Sequence, residues 1–352
     1  MNITVQPEEL LILVQKIFTA KGVSEQEASL VGDALVEANL RGQDSHGVIR
    51  IPKWTTGLEV GAISPTAKVE TVRETQASAF LDGGRALGPV VAVKASEMAI
   101  AKAKSVGIGI ILIRKASHIG MLGYYTEYMA KQGVIGICMT NTESGMAPFG
   151  TIDKILGTNP LSIGVPARDF PLILDMSTSV VARGKIVVAL ENGEKIPLGW
   201  ALNKDGDPTA DPKEALEGVL LPLGGMKGSG LAIMVDILTG ALAGQAVGKD
   251  VRGTFDMQHA GTKGDMFMAI EPSAFIDPER FLNTVESLKN QIKSAKKAKG
   301  VDRVFLPGEY EYLMRKKRIK EGIPISQELF VTLTGLTNPN KKSNLEKEGK
   351  SV

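Results

Sequence analysis

Gly107-Ile108-Gly109-Ile110-Ile111-Leu112-Ile113 holds only glycine and aliphatic side chains. A strand with one wet face alternates apolar and polar residues. A short unbroken apolar run is what a strand covered on both faces requires. Its surroundings agree: Pro89 begins an Ala-rich helix to about Ser105, a helix is expected around Tyr124 to Lys131, and Val134 to Met139 is a second buried strand. Strand, helix and strand at this spacing predict a βαβ unit, hence an α/β fold.

The flanks read by the same rules. Pro7-Glu8-Glu9 opens a helix with Leu10, Leu11, Leu13, Val14 and Ile17 on its apolar side, and Gly22 closes it. Ser24-Glu25-Gln26-Glu27 is a capping-box pattern, which predicts a helix from about Glu25 to Leu40 with Gly42 as C-cap. Val69 to Phe80 turns toward strands, with a turn at Asp82-Gly83-Gly84. Leu161 to Pro197 reads as strand-rich, Asn203 to Pro208 as a polar turn, Gly228 to Ala243 as a buried helix and Met266 to Ile270 as a strand. Pro278 to Lys299 is amphipathic, and its basic last turns suit a helix C-terminus and a solvated face. Residues from about Asn338 onward are polar and expected to fray.

Composition mainly excludes. At 352 residues the chain allows about two domains or one large α/β unit, and 43% hydrophobic residues can build a sizeable core. A net charge of +2, from 41 basic and 39 acidic residues, gives no reason to expect nucleic acid or an anionic membrane as partner. With aromatics at 5%, base stacking is poorly supplied. The single Cys138 cannot close an intrachain disulfide and lies in an apolar run, as an inert buried thiol would. No apolar stretch is long enough for a bilayer, and the first residues lack the basic start and apolar core of a secretory signal. The expectation is a soluble, cytoplasmic protein.

Chemistry concentrates in loops. The chain has three histidines, His46, His118 and His259. His46 stands in Arg41-Gly42-Gln43-Asp44-Ser45-His46-Gly47-Val48-Ile49-Arg50, just beyond a predicted helix end. Imidazole moves protons near neutral pH, and guanidinium grips a carboxylate with two hydrogen bonds. The stretch reads as a proton mover beside an anion clamp, or else as a helix-ending loop with an incidental His. His118, in Ser117-His118-Ile119-Gly120, directly follows the apolar strand, where ligands gather in α/β sheets. His259 reads as a loop residue only.

Leu223-Gly224-Gly225-Met226-Lys227-Gly228-Ser229-Gly230 leads into an apolar helix, which suits a phosphate as well as it suits a mere flexible loop. Neither a Walker A loop nor Gly-x-Gly-x-x-Gly is present. Asp175, with Met176, Ser177, Thr178 and Ser179, ends a predicted strand; it could hold a ribose, orient a histidine or simply cap. Gly157-Thr158-Asn159-Pro160 reads as a turn offering a hydroxyl and an amide. Metal ligation is poorly supported, since no His pair has helical spacing and no Cys pair exists.

Six motifs in order carry a resemblance: Arg-Gly-x-x-Ser-His-Gly-x-x-Arg at 41–50, Ser-His-Ile-Gly with Gly-Tyr-Tyr at 117–125 and Gly-Thr-Asn-Pro at 157–160. Leu-Asp-Met-Ser-Thr-Ser with Ala-Arg-Gly-Lys at 174–185, Leu-Gly-Gly-Met-Lys-Gly-Ser-Gly-Leu at 223–231 and Leu-Pro-Gly-Glu at 306–309 complete them. The chain resembles the type 2 malate/L-lactate dehydrogenase family up to about Leu336.

The resemblance implies a non-Rossmann α/β fold binding NAD(H) or NADP(H), a mixed sheet with helical N- and C-terminal parts. Residues 1–70 would pack with 275–336, residues 71–274 would bind the cofactor, and 337–352 would be a tail. It implies a homodimer or dimer of dimers with its active site near a subunit interface. His46, Arg50 and the adjacent Ser45 match positions for acid/base work and carboxylate binding, and His118 matches a second histidine at the substrate and nicotinamide. His118 with Ile119 and Gly120, Thr142, Thr158, Asn159, Asp175 to Thr178, Lys227 with Gly228, and Pro307, Gly308 and Glu309 would contact the cofactor. Asp175 would orient an imidazole. Ser177 stands where Ala is commoner, and Met226 to Ser229 lacks the aromatic that often follows Lys-Gly.

The expected activity is interconversion of a small 2-hydroxy acid and its 2-oxo acid by hydride transfer. The motifs at 142–150 and 205–209 look closest to archaeal malate and sulfolactate enzymes, making those dianions the first expectation. A reductase of a cyclic imino acid or keto-sugar acid is the alternative within the family. A metal-dependent lyase using His46, His118 and Asp175, or a non-catalytic nucleotide-binding protein, is the alternative outside it.

Overall fold

The computed structural model describes residues 2–253 and 259–338. Strand β1 (Asn2–Val5) leads into helices α1 (Pro7–Ala20) and α2 (Glu25–Leu40). Pro7 sits in the first turn of α1, where its missing N–H goes unneeded. Ser24 caps α2, its hydroxyl accepting from the Glu27 N–H at 3.3 Å. Gly22 and Gly42, at φ +85° and +78°, turn the chain out of the two helices. Two single 3₁₀ turns, Asp44–His46 and Val48–Arg50, then lead into α3 (Ile51–Glu59).

The sheet region begins with β2 (Glu70–Glu74), β3 (Ser78–Asp82), α4 (Gly88–Val106), β4 (Ile108–Arg114), α5 (Leu122–Lys131) and β5 (Ile135–Thr140). It continues with β6 (Leu161–Val165), β7 (Leu172–Met176), α6 (Arg183–Asn192), β8 (Ala201–Leu202), α7 (Pro212–Glu217) and β9 (Val219–Leu220). Next come α8 (Met226–Asp236), extended by a π turn at Ile237–Ala241, and β10 (Gly264–Ile270). The chain ends with α9 (Pro278–Ser294), α10 (Glu309–Glu321), β11 (Ile323–Ser326) and α11 (Gln327–Leu336).

Four expectations need correction. The 161–197 stretch is strand only as far as Met176. The β-branched run at Ile186 to Val188 looks extended, but Ile186 and Ala189, three apart, are both buried, so helical packing overrides propensity. The amphipathic helix from Pro278 stops at Ser294, because Ala295 is extended. The 228–243 segment is buried on one side only: Ala232, Val235 and Thr239 are inside, while Ile233, Met234, Ile237 and Leu242 are 38–60% exposed. The βαβ unit is split, as the sheet order β2-β3-β4-β10-β5-β6-β7 places antiparallel β10 between β4 and β5. The frayed tail expected from Asn338 lies, beyond that residue, outside the described residues.

Register positions the site. Arg114 of β4 pairs with Gly264, Asp265 pairs with Thr140 of β5, and Met139 pairs with Leu161, itself paired with Met176. The ends of β4, β5 and β7 and the starts of β6 and β10 therefore share one edge of the sheet. Every central motif singled out in the sequence, from Ser117 to Thr178, emerges there.

The terminal parts form a second body against that edge. Strands β1 and β11 pair antiparallel, Val5 opposite Ile323 and Ile3 opposite Ile325. Leu10, Ile17 and Phe18 of α1, Leu35 of α2, Trp54 of α3 and Leu333 of α11 share one core. Burying each such aliphatic side chain is worth about 1.5–3 kcal/mol. Arg41 binds Glu127 of α5 in a buried ion pair, joining this body to the sheet. No described helix is long and apolar enough to cross a membrane.

Candidate active site

The Ser-His-Gly turn is held from beneath by buried Asn39. Its Oδ1 accepts from the Val48 N–H at 2.9 Å, and its Nδ2 donates to Asp44 Oδ1 at 2.6 Å. A Cβ at Gly47 would lie 2.1 Å from Asn39 Oδ1, so only glycine lets the turn close on the amide. Arg318 of α10 donates to both Asp44 carboxylate oxygens. On this base Ser45 Oγ stands 2.9 Å from His46 Nδ1, and Arg50 Nε donates to Ser45 O at 2.7 Å. A guanidinium has the planar donor fork that suits a carboxylate.

His118 comes from the loop after β4. Ser117 Oγ accepts from the Gly88 N–H at 2.8 Å, and a Cβ on Gly88 would sit 2.2 Å from His118 O. The structure brings the two predicted histidines together: their rings stack at 5.7 Å between centroids and 24° between planes. Trp54 lies 6.1 Å from the His118 ring. The Gly120 N–H donates to His118 Nδ1 at 3.2 Å, so the neutral imidazole carries its proton on Nε2. Burial, reinforced by Arg50, pulls His46 down to about 3. Burial also holds His118 well below the usual range, with Arg50, His46, Lys263 and Lys53 adding to it. Both rings are thus neutral near pH 7, as proton acceptors must be.

The ends of β5 and β7 and the turn before β6 form another wall. Fully buried Asn159, held at φ +30°, accepts from the Thr142 N–H and donates to Ala232 O of α8, both at 3.0 Å. The Thr178 N–H and hydroxyl both donate to Thr158 O at 2.8 Å. These side chains are occupied in joining loops. Ser177 Oγ lies 3.0 Å from Ser179 Oγ, and Met176 is half-buried.

Thr142 differs: its Oγ1 is buried yet has no hydrogen-bond partner among the described residues. Gly224 and Gly225, at φ +59° and +64°, bring the chain to the N-terminus of α8, where Lys227 is exposed and Gly228 buried. Gly120, at φ +79°, has open space where a side chain would be, and the neighbouring Ile119 is buried, its carbonyl accepting from Tyr125. An unsatisfied hydroxyl, a glycine-lined approach and a helix N-terminus with a lysine fit the polar head and phosphates of a dinucleotide.

Asp175 meets Pro307 and Gly308 in a cavity of about 190 Å³ lined also by Arg41, Gly123 and Glu311. Its Oδ2 accepts from the Gly123 N–H at 2.7 Å. Burial raises its carboxyl to about 6, against the pull of that N–H. No hydrogen bond joins Asp175 to either imidazole among the described residues. The Glu309 carboxylate is 4% exposed and is taken up by Lys293, Arg303 and the Leu306 N–H, which hold it near 2 although burial opposes them. His259 is exposed in a bend.

The sequence reading missed Lys53, Lys263, Asp265 and Trp54. Lys263 and Asp265 form an ion pair at 2.5 Å with exposures of 1% and 0%. Nothing local marks them, because their burial depends on β10 lying between β4 and β5. Lys53 did carry a signal: it stands three residues after Arg50.

A stacked pair of imidazoles beside a guanidinium, on a sheet edge that also carries glycine turns, has the chemistry that a dehydrogenase of small organic acids needs. The chain belongs to the malate/L-lactate dehydrogenase family, whose model matches residues 5–334. It is 44% identical to the malate/(S)-sulfolactate dehydrogenase of Methanothermus fervidus, over 94% of this chain and 96% of that one. The solved sulfolactate dehydrogenase from Methanocaldococcus jannaschii superposes with a TM-score of 0.92 at 43% identity, covering 96% of this chain and 97% of that chain. A ureidoglycolate dehydrogenase (NAD(+)) of Escherichia coli is 32% identical over 92% of this chain and 93% of its own. Membership implies a nicotinamide cofactor and a small hydroxy acid as substrate. The interrupted, mixed sheet accounts for the missing glycine fingerprint, which belongs to a parallel doubly wound sheet.

Proposed function

We propose that this protein interconverts a dianionic 2-hydroxy acid, malate or sulfolactate, with its 2-oxo acid. The observation that carries the reading is the stack of two neutral imidazoles beside Arg50. The fork of Arg50 binds the C1 carboxylate and so orients C2. On oxidation, the hydroxyl proton passes to a ring nitrogen of His46 as the C2–H bond breaks, or to Nε2 of His118 once that ring takes the Nδ1–H tautomer and releases the Gly120 N–H; on reduction the same nitrogen returns it. The bound nicotinamide accepts or supplies the hydride. Thr142 Oγ1, the start of α8 with Lys227 and Gly228, and the Gly120 turn would hold that cofactor, as NAD or NADP. The working unit is a homodimer, a reading supported by the apolar side of α8 left open in the single chain.

The test follows NADH and NADPH absorbance with oxaloacetate, sulfopyruvate, pyruvate and a cyclic imino acid, with chelator present. Oxidation of cofactor with the first two, ahead of the others, is expected. No oxidation with any of them overturns the assignment. Consumption of a 2-oxo acid without cofactor oxidation, abolished by chelator, points instead to a metal-dependent lyase, and NADH fluorescence quenching without turnover to a binding protein.

A further inference from the structure

Arg50 is not the sole cation on its face. Arg50 and Ile51 both have right-handed helical backbone, so Arg50 and Lys53 lie one turn apart on the same side, with Cβ atoms about 5–6 Å apart. That is the scale of a four-carbon diacid. Lys53 is half-buried, and it acts on His118. Arg183, the first residue of α6, is also half-buried and acts on Lys53. Burial, then Arg50 and Arg183, push the Lys53 ammonium down, while Glu143 pulls the other way. Neither Lys53 nor Arg183 forms an ion pair among the described residues.

A single carboxylate needs one clamp. Three gathered cations, with Glu143 as the acid facing them, overprovide for a monoanion such as pyruvate. We propose that Lys53 and Arg183 form a second anion pocket beside the Arg50 clamp, which holds the distal carboxylate or sulfonate of the substrate and sets the preference for dianionic over monoanionic acids. The proposal rests on the dehydrogenase reading above. Like charges brought together at half-buried positions repel, and a second negative group relieves that repulsion, which converts charge into selectivity.

The experiment measures kcat/KM for oxaloacetate and for pyruvate with wild type, Lys53→Met, Arg183→Met and Lys53→Arg, and NADH fluorescence reports a folded cofactor site. The oxaloacetate-to-pyruvate ratio should fall about 10-fold or more in either Met variant, as expected for one lost charge-assisted contact, mostly through KM for oxaloacetate. Lys53→Arg should restore most of it. If Lys53→Met does not fold, Arg183→Met reads the same ratio. Active wild type with an unchanged ratio in the variants overturns this inference alone. Wild type inactive on every 2-oxo acid overturns the dehydrogenase reading and this inference with it.

Discussion

At the level of single residues, two buried charges carry opposite consequences. Asp175 has its carboxyl raised to about 6 in the fold, from about 3.8 when unfolded. The folded state therefore binds the extra proton between those values, and ionisation costs stability as pH rises through that window. The cost is fully present above about pH 6. Asp175→Asn keeps an acceptor for the Gly123 N–H and removes the charge. Its unfolding free energy, measured by denaturant titration, should gain on wild type as pH goes from 4 to 6, by up to about 1.4 kcal/mol per pH unit, and stay level above; a pH-independent difference would refute this. Lys263 and Asp265 are paired inside the sheet, with Asp265 Oδ2 left without a partner among the described residues. Lys263→Met strands a carboxylate in the core and should cost about 3–5 kcal/mol in denaturant unfolding, whereas Lys263→Met with Asp265→Leu should recover most of it. His46, His118 and Arg50 were legible in the sequence because scarce side chains of suitable chemistry stood in loops. Lys263 and Asp265 were not, since their isolation from water is created by strands distant in sequence.

Secondary-structure elements were legible where local signals dominate and blurred where packing does. Ser24 and Pro7 fixed the helix starts, and the aliphatic run at 107–113 gave β4. The strand at Met266 to Ile270 was legible, but its antiparallel place between β4 and β5 was not, because distant strands and not its own pattern set its partners. The helix α4 shows how an element aims the His118 side chain. Its first residue, Gly88, packs on the His118 carbonyl so closely that a Cβ would lie 2.2 Å away. Gly88→Ala must displace the His118 loop, since the obstacle is backbone. The expected cost is about 1–3 kcal/mol of stability, together with a loss of kcat about 10-fold or larger. Retained kcat with only lowered stability would show that His118 is not the group this contact aims.

The whole molecule sets the terminal body, carrying His46, Arg50 and Lys53, against the sheet edge carrying His118. These side chains come from stretches far apart in sequence, so a hydrophobic pattern alone gives the parts without their meeting. One surface remains open in the single chain. Met226 on α8 and Met234, Ile237 and Leu242 on α8 and its π turn are 47–70% exposed, while the opposite side of the same helix is buried on β5 and β10. Monomers seldom leave such contiguous apolar area in water, and a stable interface needs about 1,000 Å² or more. A second copy packing on this helix would also tighten the Gly224–Gly228 approach to the cofactor. Met234→Glu with Ile237→Glu should therefore turn a dimer into a monomer in sedimentation equilibrium. The same variant should raise KM for NADH several-fold, because the start of α8 loses its support. An unchanged mass would place the subunit contact elsewhere, and a monomer with unaltered KM would separate assembly from cofactor binding.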